Sequence, residues 1–196
     1  MDVSDWMDEV IGPDFIWYVK RLSGNDTLAN GSHQAGPYIS KDFLFSIFPV
    51  LNNEKVKNPD IYFDLSVDSH ADRRQVRAVW YNNKFFDRTR DETRLTNFGG
   101  NKSPLLDPES TGALTIFAFN LDRNREAKEC RVWVCRHDTE EDFIEDRIGS
   151  VEPGKWKIWS ETAGSSEGLT QAKVPFSCWL EEKNIPKQWF GKFPSA

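Results

Sequence analysis

Cysteine, histidine and methionine are scarce in this chain, at three, three and two among 196 residues. Cys130, Cys135 and Cys178 are too few, and odd in number, for a disulfide framework; they read as free thiols of a reducing compartment. The run Cys130-x4-Cys135-x-His137, with Cys178 far downstream, does not supply the paired spacings of a zinc site. His33, His70 and His137 stand at no spacing that recommends a Ser/His/Asp or Cys/His nucleophile arrangement. Gly-x-Ser-x-Gly, Gly-x-x-x-x-Gly-Lys and a post-strand Gly-x-Gly-x-x-Gly are absent, which removes the usual signatures of serine hydrolases, P-loop proteins and dinucleotide enzymes. Long apolar runs are missing as well. Residues 113–119 are among the longest and fall far short of a bilayer, and the opening Met-Asp-Val-Ser-Asp-Trp has no basic segment followed by an apolar one. A cytoplasmic protein without a membrane partner is expected.

Aromatic residues, by contrast, are plentiful: 8 Trp, 4 Tyr and 14 Phe, within a hydrophobic fraction of 38%. That is ample material for a core, it excludes a disordered chain, and it favours strands. Length and the lack of repeats or linker-like segments suggest one domain over 1–196. Ser4 is placed to cap a helix over 5–11, ended by Gly12 and Pro13. Strand signals follow at 15–19, 61–67, 76–81, 113–121, 131–136 and 156–159, the fifth alternating Val132/Val134 against Trp133/Cys135. Ser40 opens a helix over 41–48 before Pro49, and Asp138 opens an acidic helix to Arg147 with Gly149 after it. The pattern is mainly β with short helices, most simply a mixed barrel with helices closing its ends.

Net charge is −6 and the isoelectric point is near 5.2, which excludes a uniformly basic coat for nucleic acid or an acidic membrane. The charge is segregated, however. Residues 71–102 carry a local +4 and the remainder −10. At the centre of the basic stretch lies Arg88-Thr-Arg-Asp-Glu-Thr-Arg94, with Asn97 after it. In a major groove, arginine pairs bidentately with guanine and a carboxylate accepts from the cytosine amino group, so Asp91 and Glu92 belong in a base reader rather than in a phosphate clamp. A solvated, self-paired charged loop accounts for the same composition. A second long polar segment, residues 23–36, brings Asn25, His33 and Gln34 forward, with Lys20 and Arg21 at its base and Tyr38 just beyond; segments of that length are often functional.

Two other readings compete. Glu109, Glu126 and Lys128 match the spacing of a magnesium nuclease, two carboxylates for the ion and a lysine near the attacking water. Alternatively, Trp156, Trp159, Trp179 and Trp189 form the surface of a protein-interaction module, or simply belong to the core.

Several segments in order resemble a known family. Tyr18-Val-Lys-Arg-Leu-Ser-Gly-Asn-Asp-Thr27, Gly31-Ser-His-Gln-Ala-Gly-Pro-Tyr38, Arg77-Ala-Val-Trp-Tyr-Asn82, Thr89-Arg-Asp-Glu-Thr-Arg94, the run from Ser103 to Thr115, Val132-Trp-Val-Cys135, Glu140-Glu-Asp-Phe-Ile-Glu145 and Phe193-Pro-Ser195 are similar to the N-terminal effector domain of EcoRII-type restriction endonucleases. The resemblance implies a seven-stranded open DNA-binding pseudobarrel, like the plant B-three domains. Two loop arms would embrace the major groove of double-stranded DNA at CC(A/T)GG. By similarity one arm carries Lys20, Arg21, Asn25, His33, Gln34 and Tyr38, and the other Arg88, Arg90, Asp91, Glu92, Arg94 and Asn97. Arg88 and Thr93 stand where the relative carries lysine. No cofactor is expected for this domain. Magnesium would serve cleavage in a bacterial parent enzyme whose separate C-terminal catalytic domain is the second expected partner, and the chain reads as the effector domain cut from it. Glu109 then falls in a structural turn.

Overall fold

A computed structural model of the chain describes residues 1–31 and 36–161. Helix α1 spans Val3–Val10 and starts earlier than expected because Asp2, not Ser4, caps it: the Asp2 carboxylate accepts from the Asp5 N–H at 2.9 Å. Its Val3, Trp6, Met7 and Val10 recur at helical spacing and are buried together. Strand β1, Phe15–Arg21, follows the turn at Gly12. Helix α2, Lys41–Ile47, stops one residue short of expectation, before a 3-10 turn at Pro49–Leu51. Strands β2 (Asp60–Val67), β3 (Asp72–Tyr81), β4 (Glu92–Thr96), β5 (Leu114–Leu121) and β6 (Ala127–Val134) precede helix α3 (Asp138–Ile148) and strand β7 (Trp156–Trp159). Gly149, at φ 75°, ends α3, and its N–H donates to the Glu145 carbonyl.

Strands β3 and β6 begin four residues before their apolar signal, because none of the first four residues of β3 is buried and only Ala127 and Cys130 of those of β6 are. Strand β4 lies inside the stretch expected to be an irregular loop. Only Thr93 and Leu95 of it turn inward, too few to mark a strand in a charged run.

The seven strands form one sheet in the order β4-β3-β2-β6-β5-β1-β7. All neighbours are antiparallel except β2 and β6, which are joined in parallel from Asp64↔Glu129 to Val67↔Val132. The sheet curls into an open half-barrel. One face gathers Tyr18, Phe63, Val76, Leu95, Phe117 and Val132, one from each of β1–β6, with Phe43, Leu44 and Phe48 beside them. This is the concave interior. The opposite face of β1, β5 and β6 is covered by α1 and α3, where Trp6, Trp17, Ile116, Trp133 and Ile144 make a second core. Trp6 sits 5.5 Å from Trp133 and 6.4 Å from Trp17, ring centre to ring centre. The expected alternation along β6 holds, with Val132 and Val134 inside and Trp133 and Cys135 outside. Each fully buried Phe or Leu contributes about 1.5–3 kcal/mol, so this double core holds a thin sheet rigidly enough to carry loops.

The gap between the sheet's two edges is bridged by the end of the 23–38 loop. Tyr38 pairs by backbone with Arg94 of β4, and the Leu95 N–H donates to the Pro37 carbonyl at 2.9 Å. On its other side the Tyr38 ring lies 6.3 Å from Trp156 of β7.

Candidate nucleic-acid interface

Alternation along β1 sends its two terminal cations to opposite faces. Lys20 shares the interior face with Tyr18, is buried, and bonds Asp26 at 2.7 Å and the Tyr38 carbonyl at 3.2 Å. Burial lowers its pKa, and the Asp26 carboxylate works against that. Arg21 points to the helix side. There it donates to the Val151 carbonyl and to Glu141 and Glu145 of α3.

Asp26 organises the first arm. It is fully buried and accepts from the Lys20 ammonium, from the Ser23 N–H and hydroxyl, and from the Tyr38 N–H at 2.7 Å. The loop thereby leaves β1 and returns at Tyr38 through one carboxylate. Asn25 is exposed at the bend, held by Asn30 at 2.8 Å. His33 and Gln34 lie outside the described residues.

The second arm runs from Asn82 into β4, and Asp91 is its anchor. The carboxylate accepts from the Trp80 indole at 2.7 Å and from the ammonium groups of Lys41 and Lys84. Burial works to raise its pKa, but the bonds from Lys84, Trp80 and Lys41 outweigh that and hold it at about 2. Next to it, Arg90 lies over Tyr81, its Cζ 3.6 Å from the ring centre, and donates to Glu92 at 2.6 Å. Its Nη2 is buried and has no hydrogen-bond partner among the described residues. Glu92 also receives Arg94 at 3.2 Å, and Arg94 donates to the carbonyls of Asn25 and Gly36 in the first arm. Arg88 and Thr89 stand exposed at the tip, and Asn97, exposed at φ 61°, reaches the Tyr62 hydroxyl at 3.4 Å.

The fold therefore brings together Asn25, Tyr38, Arg90, Glu92 and Arg94, with Arg88 at the edge, while Lys20, Arg21 and Asp91 are engaged internally. Sequence reasoning missed Asp26, Lys41, Trp80, Tyr81 and Lys84. Lys84 carried a signal in its place in the basic stretch, and Asp26, Trp80 and Tyr81 lie in segments that carry the family resemblance, which gave them no role.

The competing sites come apart. Glu109 precedes the start of β5 and Glu126 follows its far end, so about 20 Å of strand separates the two carboxylates and no shared ion can join them. Cys130 lies in the interior cluster and Cys135 in the outer one, on opposite faces of the sheet; burial pushes both thiols up in pKa. Trp156 packs on Tyr18, and Trp159 lies 4.4 Å from Trp17, so both serve the cores. Trp179 and Trp189 lie outside the described residues. Among those residues no helix is long and apolar enough to cross a membrane.

A curled, open seven-stranded sheet with two arms anchored beside one another defines a B3-like domain. The B3 domain of the UbaLAI restriction endonuclease, solved with its cognate DNA, shares the fold at a TM-score of 0.50 and 16% identity, over 80% of this chain and 97% of that one. The family described as "Restriction endonuclease EcoRII, N-terminal" matches residues 12–163, and the chain belongs to it. The type II restriction enzyme EcoRII of Escherichia coli is 36% identical over 195 residues. The alignment takes in 98% of this chain and 47% of that protein, so the chain spans about half the length of this relative.

Proposed function

We propose that this chain is a sequence-specific double-stranded DNA-binding domain, the effector part of a type II restriction endonuclease that recognises a CC(A/T)GG-like site. The observation that carries the reading is the junction of the two arms in a chain of the EcoRII N-terminal family: Arg94 of the second arm donates to the Asn25 and Gly36 carbonyls of the first, beside Arg90 and Glu92. Arg90 and Glu92 are the base readers, toward guanine and cytosine. Arg88 meets phosphate, with Asn25, His33, Gln34, Tyr38 and Asn97 completing the contact surface. Lys20, Arg21 and Asp91 support these residues from inside the fold. Affinity comes from neutralised phosphates and falls steeply with salt, while the acidic remainder of the chain discourages a duplex from settling elsewhere.

Residues 1–196 form one such domain, which needs no cofactor. Cleavage, with magnesium, belongs to a catalytic domain of the parent protein in a bacterial cytoplasm, and occupation of the effector site regulates or anchors that domain. Fluorescence anisotropy on a duplex containing CCAGG, a scrambled duplex, and both with magnesium tests the reading. Preferential binding to the first without cutting is expected. Equal weak binding to both duplexes rejects the reading, and metal-dependent cutting by this chain rejects its non-catalytic role.

A further inference from the structure

The two arms share a seam, and Arg94 is its centre. Its side chain is only 12% exposed, and one guanidinium nitrogen donates to two carbonyls of the other arm, Asn25 at 3.0 Å and Gly36 at 2.8 Å. The same residue pairs by backbone with Tyr38, and Leu95 bonds the Pro37 carbonyl. Gly36 is packed so closely at φ 142° that a Cβ there would run into the Leu95 carbonyl oxygen. Close to this seam the Tyr38 N–H is held by Asp26.

We propose that Arg94 is a positioning residue, a latch that fixes the spacing of the two arms before DNA arrives, so that they act as one preformed reading head and not as two independent jaws. The inference rests on the DNA-binding reading above. Guanidinium geometry suits the task, since a planar fork spans two carbonyls and the Glu92 carboxylate at once, whereas an ammonium on a flexible stem does not. With Nε held by Glu92 and Nη1 by the two carbonyls, Arg94 sets the distance between the groups that touch DNA. Preorganisation of this kind raises affinity and discrimination by lowering the cost of ordering the arms on binding.

The test uses the 196-residue chain and three variants, Arg94→Ala, Arg94→Lys and Gly36→Ala, titrated over a salt series against CCAGG and all its single-base-pair substitutions. Arg94→Ala is expected to lose at least tenfold in affinity for CCAGG, with discrimination reduced at every position alike and the salt slope unchanged. Gly36→Ala alters no charge and is expected to give the same signature, so the test stands even if Arg94→Ala does not fold. Arg94→Lys should stay within threefold of Arg94→Ala. A loss confined to one base pair, a salt slope smaller in magnitude by about one, or full rescue by lysine each overturns the latch and makes Arg94 a direct contact. Undiminished binding by Gly36→Ala overturns it too. The unaltered chain keeps the two failures distinct: absence of any CCAGG preference there rejects the DNA-binding reading itself.

Discussion

Each arm hangs on one aspartate, yet the two aspartates are satisfied differently. Asp26 is fully buried, and of its four donors three come from its own arm: the N–H and hydroxyl of Ser23 and the N–H of Tyr38. Only the fourth, Lys20, comes from the sheet. Asp91 is partly exposed, and its donors are side chains from three places, Lys41 of α2, Trp80 of β3 and Lys84 in the arm itself. The first arm is thus closed upon itself around a desolvated charge. The second is pinned to the body by ion pairs that water and acid reach. The first should resist salt but collapse when its carboxylate is removed, whereas the second should be tunable.

The largest effect is expected from Asp26→Ala, which strands the Lys20 ammonium in the interior and frees both ends of the first arm. Loss of a buried partner costs about 3–5 kcal/mol. Denaturant unfolding should show a drop of that size, and a change below about 1 kcal/mol would mean that Asp26 is not the anchor.

Acid should act on the second arm. Asp91 titrates at about 2 in the folded chain against an ordinary 3.8. Its contribution is therefore complete above about pH 4 and is lost as the pH falls toward 2. Linkage puts that contribution at about 2 kcal/mol. Asp91→Asn should reduce stability near neutral pH by about that amount and flatten the acid limb of a pH–stability profile; an acid limb as steep as that of the parent would place the dependence elsewhere.

Arg90→Ala should leave the fold nearly intact while removing about 1–3 kcal/mol of discrimination at a guanine. Competition binding against substituted duplexes reads this directly, and an unchanged base preference would make the Tyr81 stack purely structural. The smallest expected effect belongs to Arg88, exposed at the tip. Arg88→Ala should change stability by less than about 0.5 kcal/mol. The magnitude of its salt slope should fall by about one, without altering sequence preference.

Much of the scaffold was legible because strands buried on both faces read as apolar runs, as β1 and β5 do, and because β6 alternates cleanly between two cores. Strand β4 was hidden. It contributes only Thr93 and Leu95 to the interior, and its Arg94 meets the opposite arm, a partner set by topology rather than by local pattern. The arms themselves stood out through segregated charge and through the family resemblance. Which cation does what did not. Lys20 and Arg21 are adjacent and alike in sequence, but strand alternation gives one to Asp26 and the other to Glu141 and Glu145, 120 and more positions away. The role of Asp26 was invisible for the same reason, since it is one polar residue in a polar loop until its donors converge on it.

Interference by N7-methylated guanine tests the central claim, two arms reading base edges in the major groove, most directly. Duplexes carrying CCAGG, partially methylated with dimethyl sulfate, are bound and the retained fraction is sequenced chemically. Molecules methylated at the guanines of the site should be strongly depleted, and Arg90→Ala should relieve that depletion at the guanine it reads. Binding indifferent to guanine N7 methylation, or blocked only by adenine N3 methylation in the minor groove, would contradict the claim.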